Sequence, residues 1–546
     1  MPTKRLTIDG IEGGISFTTF GAAQKNSYDG AFGIDPDFKS NVSNKAGGAI
    51  TPTAYSKFSS SSLASSSSVN WVMSTPKDSS AYIYAYASGG EFLRYTYSGT
   101  TYGTETALTT PTSGAGNGMA YYNNYIYLAT PTNISRYGPL DNSPSMTQTW
   151  WTSASCLNDA KYVLKDTSYP TFQGGATLKT PNHAMHTHTD GFLYICDVIS
   201  TSYDVTAKEG KGVLHRISTS KTTDEGDTNN GSAYDVLELP FGYYPVAIES
   251  WGTDLAILAM PGTNLSSLTL SRGNSVLFLW DTFAAIPYKQ VTLPDPIATA
   301  IKNVNGRLVI WSGNTAKGVR VSTFSGGEGV DQLALVSESI TPYQGAVDSF
   351  GDKAFFGGYT TYPGGSQQAC VYSIDSKVSQ LPHYAVHIPA LNNEGGTAPA
   401  ATAVAMLAMD NMTRPTPVFA SAGSSASGIY SFGTGTSQFA QFQQKWEVGQ
   451  PFSVRSVRFA LDQTVSSGVS ITATVKTDNG NNSQSLTAIT NSTDSGNIAF
   501  SYKRPELTIT GQENLYLNFQ FNGTVAASVV FPVIVEIDTF DVMKTG

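Results

Sequence analysis

Residues 301–324 read IKNVNGRLVIWSGNTAKGVRVSTF, and this phrase constrains the fold more than any other in the chain. An apolar start leads to the polar turn Asn305-Gly306, the alternating run Leu308-Val309-Ile310-Trp311 follows, and a Gly-containing loop connects to a second alternating run, Val319 to Phe324. Asn-Gly between two such runs is a strong hairpin signal, because both central residues of the tight turn must take positive φ. One hairpin would not fold alone. The phrase recurs along most of the chain at intervals of roughly 40 to 60 residues, and a period of that size signals a stacked or radial array of units.

Seven copies can be read. The first runs from Val69 to Tyr97, with Ala81-Tyr82-Ile83-Tyr84-Ala85-Tyr86 alternating, Gly89-Gly90 turning and Phe92-Leu93-Arg94-Tyr95 returning. The second spans Gly118 to Tyr137 around Asn123-Asn124, and the third spans His183 to Ile217 around Asp190-Gly191. The fourth starts at Val246-Ala247-Ile248 and returns through Val276 to Asp281; the fifth is the opening phrase. The sixth turns at Gly351-Asp352 and returns through Cys370 to Asp375, and the weaker seventh runs from Ala403 to Phe432. Extended segments such as Tyr234 to Pro240 and Lys289 to Pro294 read as outer strands before a Pro-directed crossing.

About seven units, each able to supply three or four short antiparallel strands, predict a β-propeller. Each unit buries one face on the preceding blade and the other on the next, so closing the ring leaves few exposed edges. The sequence carries no polar capping unit such as an open solenoid needs. The expected organisation is all-β: an N-terminal arm and loop region over 1–68, a propeller of about seven blades over 69–435, and a C-terminal β-sandwich, jelly-roll-like, over 436–546. In the arm, Gly13 to Phe17 reads as a short strand, Gly33-Ile34-Asp35-Pro36-Asp37 as a turn, and the serine tract Ser59 to Ser68 as a spacer or as an arm reaching a neighbouring subunit. Gln438 to Lys445 reads as a connector. Beyond it, Phe452 to Phe459, Val469 to Val475, Leu515 to Phe521 and Val529 to Ile537 largely alternate with period two, which is the sandwich pattern.

Composition narrows the function. Charged residues make up 13% while 29 Tyr contribute to an aromatic content of 11%, which suits pleated, half-buried surfaces better than helices. The net charge is −9 and no basic run is longer than a pair such as Lys4-Arg5 near the start, so the Lys/Arg stripe that a nucleic-acid partner requires is missing. Three cysteines cannot frame a chain of 546 residues with disulfides. The start MPTKRLTIDGIEGG has no apolar core of a secretory signal, and no apolar stretch is long enough to span a bilayer. These features predict synthesis in a reducing cytoplasm.

Enzymatic signatures do not emerge: G-x-S-x-G, H-E-x-x-H and the phosphate-cradling G-x-x-x-x-G-K-[ST] are all missing, as are the S-x-D-x-G-x-x-W boxes of sialidase-type propellers. Trp280-Asp281 does not recur as it would in WD repeats. No cofactor is expected. Distant carboxylate pairs for glycoside hydrolysis have no local spacing and stay open. One cluster has ligand character: His183-Ala184-Met185-His186-Thr187-His188. On a strand, His186 and His188 share a face and Asp190 continues the alternation, a spacing able to hold Zn²⁺. The competing reading places them on the innermost strand of the third blade, as ordinary lining of the central channel. Exposed Tyr and Phe in the loops can likewise be a sugar-stacking surface or packing between blades.

Three features give the chain a family likeness. Glu12-Gly13-Gly14-Ile15-Ser16 is followed by Gly33-Ile34-Asp35-Pro36-Asp37; divergent blades without enzyme or WD signatures come next; a terminal module rich in Asn, Ser and Thr closes the chain. In these it resembles the propeller-bearing tail and neck proteins of tailed bacteriophages. The resemblance implies a non-enzymatic virion structural protein, assembled in the host cytoplasm in several copies, with other virion proteins, copies of itself and a host surface glycan as partners. It transfers no catalytic or binding residue. Two alternatives from other classes are a carbohydrate-binding or glycan-cleaving propeller with a sandwich lectin module, and a bacterial surface adhesin.

Overall fold

The computed structural model describes residues 3–9, 30–32, 48–50, 54–57, 67–75, 82–97, 102–112, 116, 118–130, 133–152, 183–200, 210–218, 233–240, 242–261, 273–314, 318–336, 342–361, 367–375, 383–389, 400–407, 416–422, 428–435, 439–461, 470–477, 482–485, 489–490, 499–503, 510–511, 513–522 and 528–539. Among these, strands form seven four-stranded antiparallel sheets and two six-stranded ones, with one short 3-10 turn at Gln344–Ala346. Gly13 to Phe17, Gly33 to Asp37 and most of the serine tract lie outside the described residues.

The seven sheets are the predicted blades, and in six of them the four strands follow one another in chain order. Blade 1 is Val69–Ser74, Tyr82–Ala87, Phe92–Tyr97 and Tyr102–Ala107; blade 2 is Gly118–Tyr122, Tyr125–Ala129, Asn133–Gly138 and Ser145–Thr152. Blade 3 is Met185–Thr187, Leu193–Ser200, Gly210–Ile217 and Ala233–Glu238; blade 4 is Tyr243–Trp251, Asp254–Pro261, Val276–Trp280 and Lys289–Thr292. Blade 5 is Ile297–Val304, Arg307–Asn314, Gly318–Phe324 and Asp331–Val336; blade 6 is Val347–Phe350, Lys353–Thr361, Gln367–Asp375 and His383–Pro389. Blade 7 takes Ala400–Leu407, Thr416–Ala422 and Gly428–Gly435 from the end of the repeats, and its fourth strand, Ala54–Lys57, from the N-terminal region. A four-residue strand has no period to read, so no local pattern announces that last assignment.

The opening hairpin shows why the repeats fold as they do. Asn305 and Gly306 take φ of 51° and 83°, and Val304 pairs with Arg307 across the two-residue turn. Leu308, Val309, Ile310 and Trp311 are all buried, since a middle strand of a blade is covered on both faces by its neighbours. A β-bulge recurs near the start of the inner strand in blades 1, 4, 5 and 7, at Val69/Trp71, Pro245/Ala247, Ala298/Ala300 and Ala401/Ala403. A bulge bends a strand and increases its local twist. Blades 1 to 3 share a further device: an arginine on the third strand lies over an aromatic ring at the start of the second, as Arg94 on Tyr82, Arg136 on Tyr125 and Arg216 on Phe192 at 4.4–4.8 Å.

Consecutive inner strands are neighbours around the whole ring, and the last packs against the first. At that closure, Thr402 donates its hydroxyl to the carbonyl of Val69 at 2.6 Å, and Val69, Val72, Ile83 and Leu93 share one apolar cluster with Ala403, Val418 and Ile429. Aromatic pairs span adjacent blades elsewhere, such as Tyr194 with Trp280 at 5.9 Å and Trp311 with Phe356 at 5.8 Å. The end of the serine tract is not a free spacer: Ser67 and Ser68 are buried, Ser67 bonds the Glu91 carboxylate at 2.8 Å, and the carbonyl of Ser68 accepts from the amide of Ser88 at 2.7 Å.

The chain divides into two compact units. Lys57–Val371 with Asn392–Ser431 contains the inner strands of all seven blades. The other, Met1–Ser56 with Tyr372–Leu391 and Phe432–Gly546, contains both six-stranded sheets. In one of these sheets Thr3–Ile8, Ser528–Thr539, Phe452–Leu461 and Ala499–Lys503 lie side by side; in the other the order is Gly30–Phe32, Phe439–Glu447, Asn514–Asn522, Ser470–Thr477 and Asn482–Ser485. Ser470–Thr477 alternates between partly buried and buried throughout, and Phe459 of one sheet meets Phe519 of the other edge-on at 4.9 Å. Two expectations change here. The N-terminal region read as an arm supplies strands to both sheets, with Thr3 to Ile8 paired residue for residue against Asp538 to Val533. The connector Gln438 to Lys445 falls almost wholly in a strand, Phe439–Glu447, in which Gln441 and Gln443 pair across to Gln520 and Asn518. Its polar pattern concealed it, since cross-strand pairing rather than burial defines that strand.

Candidate functional site

The inner strands of blades 3 to 6 repeat a four-residue phrase: Ala184-Met185-His186-Thr187, Ala247-Ile248-Glu249-Ser250, Ala300-Ile301-Lys302-Asn303 and Ala346-Val347-Asp348-Ser349. The third residue of each phrase lines a cavity of about 350 Å³ in the central channel. Blades 7, 1 and 2 complete the wall with Val404, Trp71, Met73, Met119 and Tyr121. The channel therefore has a charged arc and an apolar arc.

The charged arc alternates in sign. Lys302 Nζ lies 3.3 Å from Asp348 Oδ1 and 3.6 Å from Glu249 Oε2, and Glu249 Oε1 is 3.8 Å from His186 Nε2. The Glu249 carboxylate, then Asp348, holds the Lys302 ammonium well above its ordinary pKa. Burial holds the His186 imidazole below its ordinary value against the opposing pull of Glu249. Its hydrogen bonds agree with a neutral ring, because the amide of Ser250 donates to Nε2 at 3.1 Å.

The fourth residue of each phrase ties its blade to a neighbour. Thr187 donates its hydroxyl to the carbonyl of Tyr121 at 2.8 Å, Asn303 its amide to the carbonyl of Ser250 at 2.9 Å, and Ser349 its hydroxyl to the carbonyl of Asn303 at 3.2 Å. Gln344 adds a fork: its side-chain carbonyl accepts from the amide of Ile301 and its NH₂ donates to the carbonyl of Ile301, both at 3.0 Å. The turns are stitched as well, with Trp251 Nε1 donating to the carbonyl of Gly306 at 2.9 Å and Asn305 Nδ2 to Asp352 at 3.0 Å.

Of the three candidate zinc ligands, two come together and one does not. His186 Nε2 and His188 Nδ1 meet at the hydroxyl of Ser250, 2.7 and 2.8 Å away. His188 Nε2 faces the carbonyl of Thr253 at 3.0 Å, which can only accept, so that nitrogen carries the proton. Asp190 sits in the turn beyond, accepting from the amide of Phe192 at 3.1 Å and from the hydroxyl of Tyr194 at 2.7 Å. Among the described residues no group of three or more His, Cys, Asp or Glu is placed to hold a metal ion. Of the pair, His186 lines the cavity.

No protein-family model matches the chain, and no characterised protein matches it in sequence. Solved structures with a similar arrangement include the Dos1 propeller, at 9% identity and a TM-score of 0.35 over 64% of this chain and 76% of that one. The Neurospora crassa Pan2 WD40 domain is 7% identical with a TM-score of 0.38, over 70% and 95% of the two chains. Trypanosoma rangeli sialidase in complex with sialic acid is 8% identical with a TM-score of 0.32, over 89% and 94%. The chain is a β-propeller on its own sheet topology, seven four-stranded sheets whose inner strands close on one another.

Sequence reasoning reached His186 and missed Glu249, Lys302, Asp348 and Gln344. The signal was present as the recurring phrase Ala-apolar-titratable-polar, whose third residue is His186, Glu249, Lys302 and Asp348 in successive copies. Read singly, each is an ordinary polar residue next to a turn. Aligned on the alanine, the four mark one layer of the channel.

Proposed function

We propose that this chain is a non-enzymatic structural protein of a tailed-phage virion, a tail or neck component present in several copies and partnered by other virion proteins and copies of itself. The observation that carries the structural part is the channel itself: its charged side chains face one another across blades 3 to 6, and the neighbouring polar residues hold adjacent inner strands together. A ring closed in this way is a rigid platform that needs no disulfide; Cys196 and Cys370 are buried free thiols. The virion assignment rests on the sequence resemblance. Loops at the ends of the blades are the natural docking surfaces, and Phe283 and Ile286 in the loop after Trp280 are 91% and 69% exposed.

A second reading, binding of a host surface glycan, is favoured by that same loop. Phe283 and the half-exposed Tyr288 present rings to solvent, and aromatic faces stack on sugars. Mass spectrometry and electron microscopy of purified particles test the first reading, with several copies per particle expected. A strictly monomeric protein absent from virions sinks it. A glycan array tests the second, where a defined saccharide hit lost in Phe283→Ala is the supporting result.

A further inference from the structure

The two walls of the cavity ask for different chemistry. On one side the side chains of His186, Lys302 and Asp348 are 20%, 25% and 25% exposed, while Glu249 stands behind them, almost sealed, and pairs with the Lys302 ammonium. An ammonium carries three hydrogens; two face Asp348 and Glu249, and the third is unspent. Because the amide of Ser250 donates to His186 Nε2, the neutral ring keeps its proton on Nδ1, a second donor that Ser250 does not use. Beside Lys302, at 3.3 Å, the Asp348 carboxylate only accepts. On the other side stand Trp71, Met73, Met119, Tyr121 and Val404. An anion would suit the donors but meet the Asp348 carboxylate, and an amine would suit Asp348 but meet the Lys302 ammonium. A hydrated metal ion has no use for the apolar wall. A hydroxyl both donates and accepts, so two neighbouring hydroxyls satisfy a Lys–carboxylate pair together, one accepting from the ammonium and the other donating to the carboxylate. A sugar ring adds a C–H face that packs on aromatic and thioether surfaces. The volume of about 350 Å³ lies at the lower end of the usual roughly 300–1,000 Å³ for ligand pockets, which suits one such ring.

We infer that the central channel binds a single neutral sugar, whose adjacent hydroxyls bridge Lys302 and Asp348 while its C–H face lies against Met73 and Tyr121. A further hydroxyl accepts from His186. The site rests on neither reading given above: the residues that hold the sugar belong to inner strands of the ring, whereas Phe283 lies in the loop after Trp280. The ion pairs of the channel stay as they are on binding, since an uncharged ligand displaces none of them.

The test is isothermal titration calorimetry of the full chain with glucose, galactose and mannose, and with cyclohexanol, a six-membered ring with one hydroxyl. At least one of the three sugars is expected to bind saturably, one per chain, with cyclohexanol weaker by about tenfold or more. Asp348→Asn keeps the shape and turns one acceptor oxygen into a donor, and is expected to weaken that sugar by about tenfold or more, whereas Phe283→Ala is expected to leave it within about twofold. Because Asp348→Asn can disturb the ring, the wild-type protein is also followed by the methyl resonances of its methionines, where the sugar is expected to shift Met73 and Met119. No saturable binding of any of the three sugars, equal binding of cyclohexanol, unmoved Met73 and Met119 resonances, or unchanged affinity in folded Asp348→Asn would each overturn the inference. Loss of binding in Phe283→Ala would overturn it too, and would place the sugar on the loop instead.

Discussion

Replacing Lys302 with methionine removes the one ammonium that stands between two channel carboxylates while keeping most of the side chain's volume. Each pair, at 3.3 and 3.6 Å, has a gross attraction of roughly 4–5 kcal/mol at an effective dielectric constant near 20, and desolvation opposes most of it. What the substitution exposes is the cost of leaving Glu249 buried without its cation, about 3–5 kcal/mol for a fully buried pair. Lys302 and Asp348 are each 25% exposed, so water screens part of the loss and about 2–3 kcal/mol is the expected destabilisation. Urea unfolding with an unchanged slope is the assay, and a double-mutant cycle with Glu249→Gln isolates the pair, with an expected coupling of about 1–2 kcal/mol. A loss below about 0.5 kcal/mol, within the ordinary range for surface substitutions, or strict additivity in the cycle, refutes the idea that this network holds the ring.

Three further outcomes follow from the same structure. Gly306→Ala is expected to cost about 1–2 kcal/mol from backbone strain alone, since Gly306 has φ of 83° and a Cβ there meets nothing within 4 Å; thermal unfolding indistinguishable from wild type contradicts the turn. Trp311→Ala is expected to cost about 3–5 kcal/mol, whereas Trp311→Phe is expected to lose far less because the buried indole N–H has no hydrogen-bond partner; equal losses in chemical denaturation refute that account. Burial pushes the phenol of Tyr127 up to about 12 and raises those of Tyr95, Tyr194 and Tyr343, so the folded chain keeps protons that the unfolded chain releases near pH 10. Stability is therefore expected to be intact below about pH 10 and to fall as pH rises beyond it, read as a declining urea midpoint that Tyr127→Phe makes less steep.

How far the chain could be read without its structure depended on whether a feature repeats. The hairpin turns at Asn123-Asn124, Gly252, Asn305-Gly306 and Gly351 take the positive φ that their residue types announce. The inner and middle strands follow from runs such as Leu255 to Leu258 and Leu308 to Trp311, which are buried because both faces are covered. Ala54–Lys57 in blade 7 and Thr3–Ile8 beside Ser528–Thr539 were illegible for a different reason: they pair with partners hundreds of residues away, and no local pattern encodes such a partner. In the channel, His186 stood out because histidine is rare here. Glu249, Lys302 and Asp348 stood in the same register of successive copies, and only comparison between copies reveals that they share a layer.

Single-particle electron cryomicroscopy of the purified full chain tests the central claim most directly. The account predicts seven blades around one channel, closed between Val69 and Thr402, with Lys302 density between Glu249 and Asp348. An open arc, a ring with another number of blades, or a channel in which Lys302 points away from both carboxylates would contradict it.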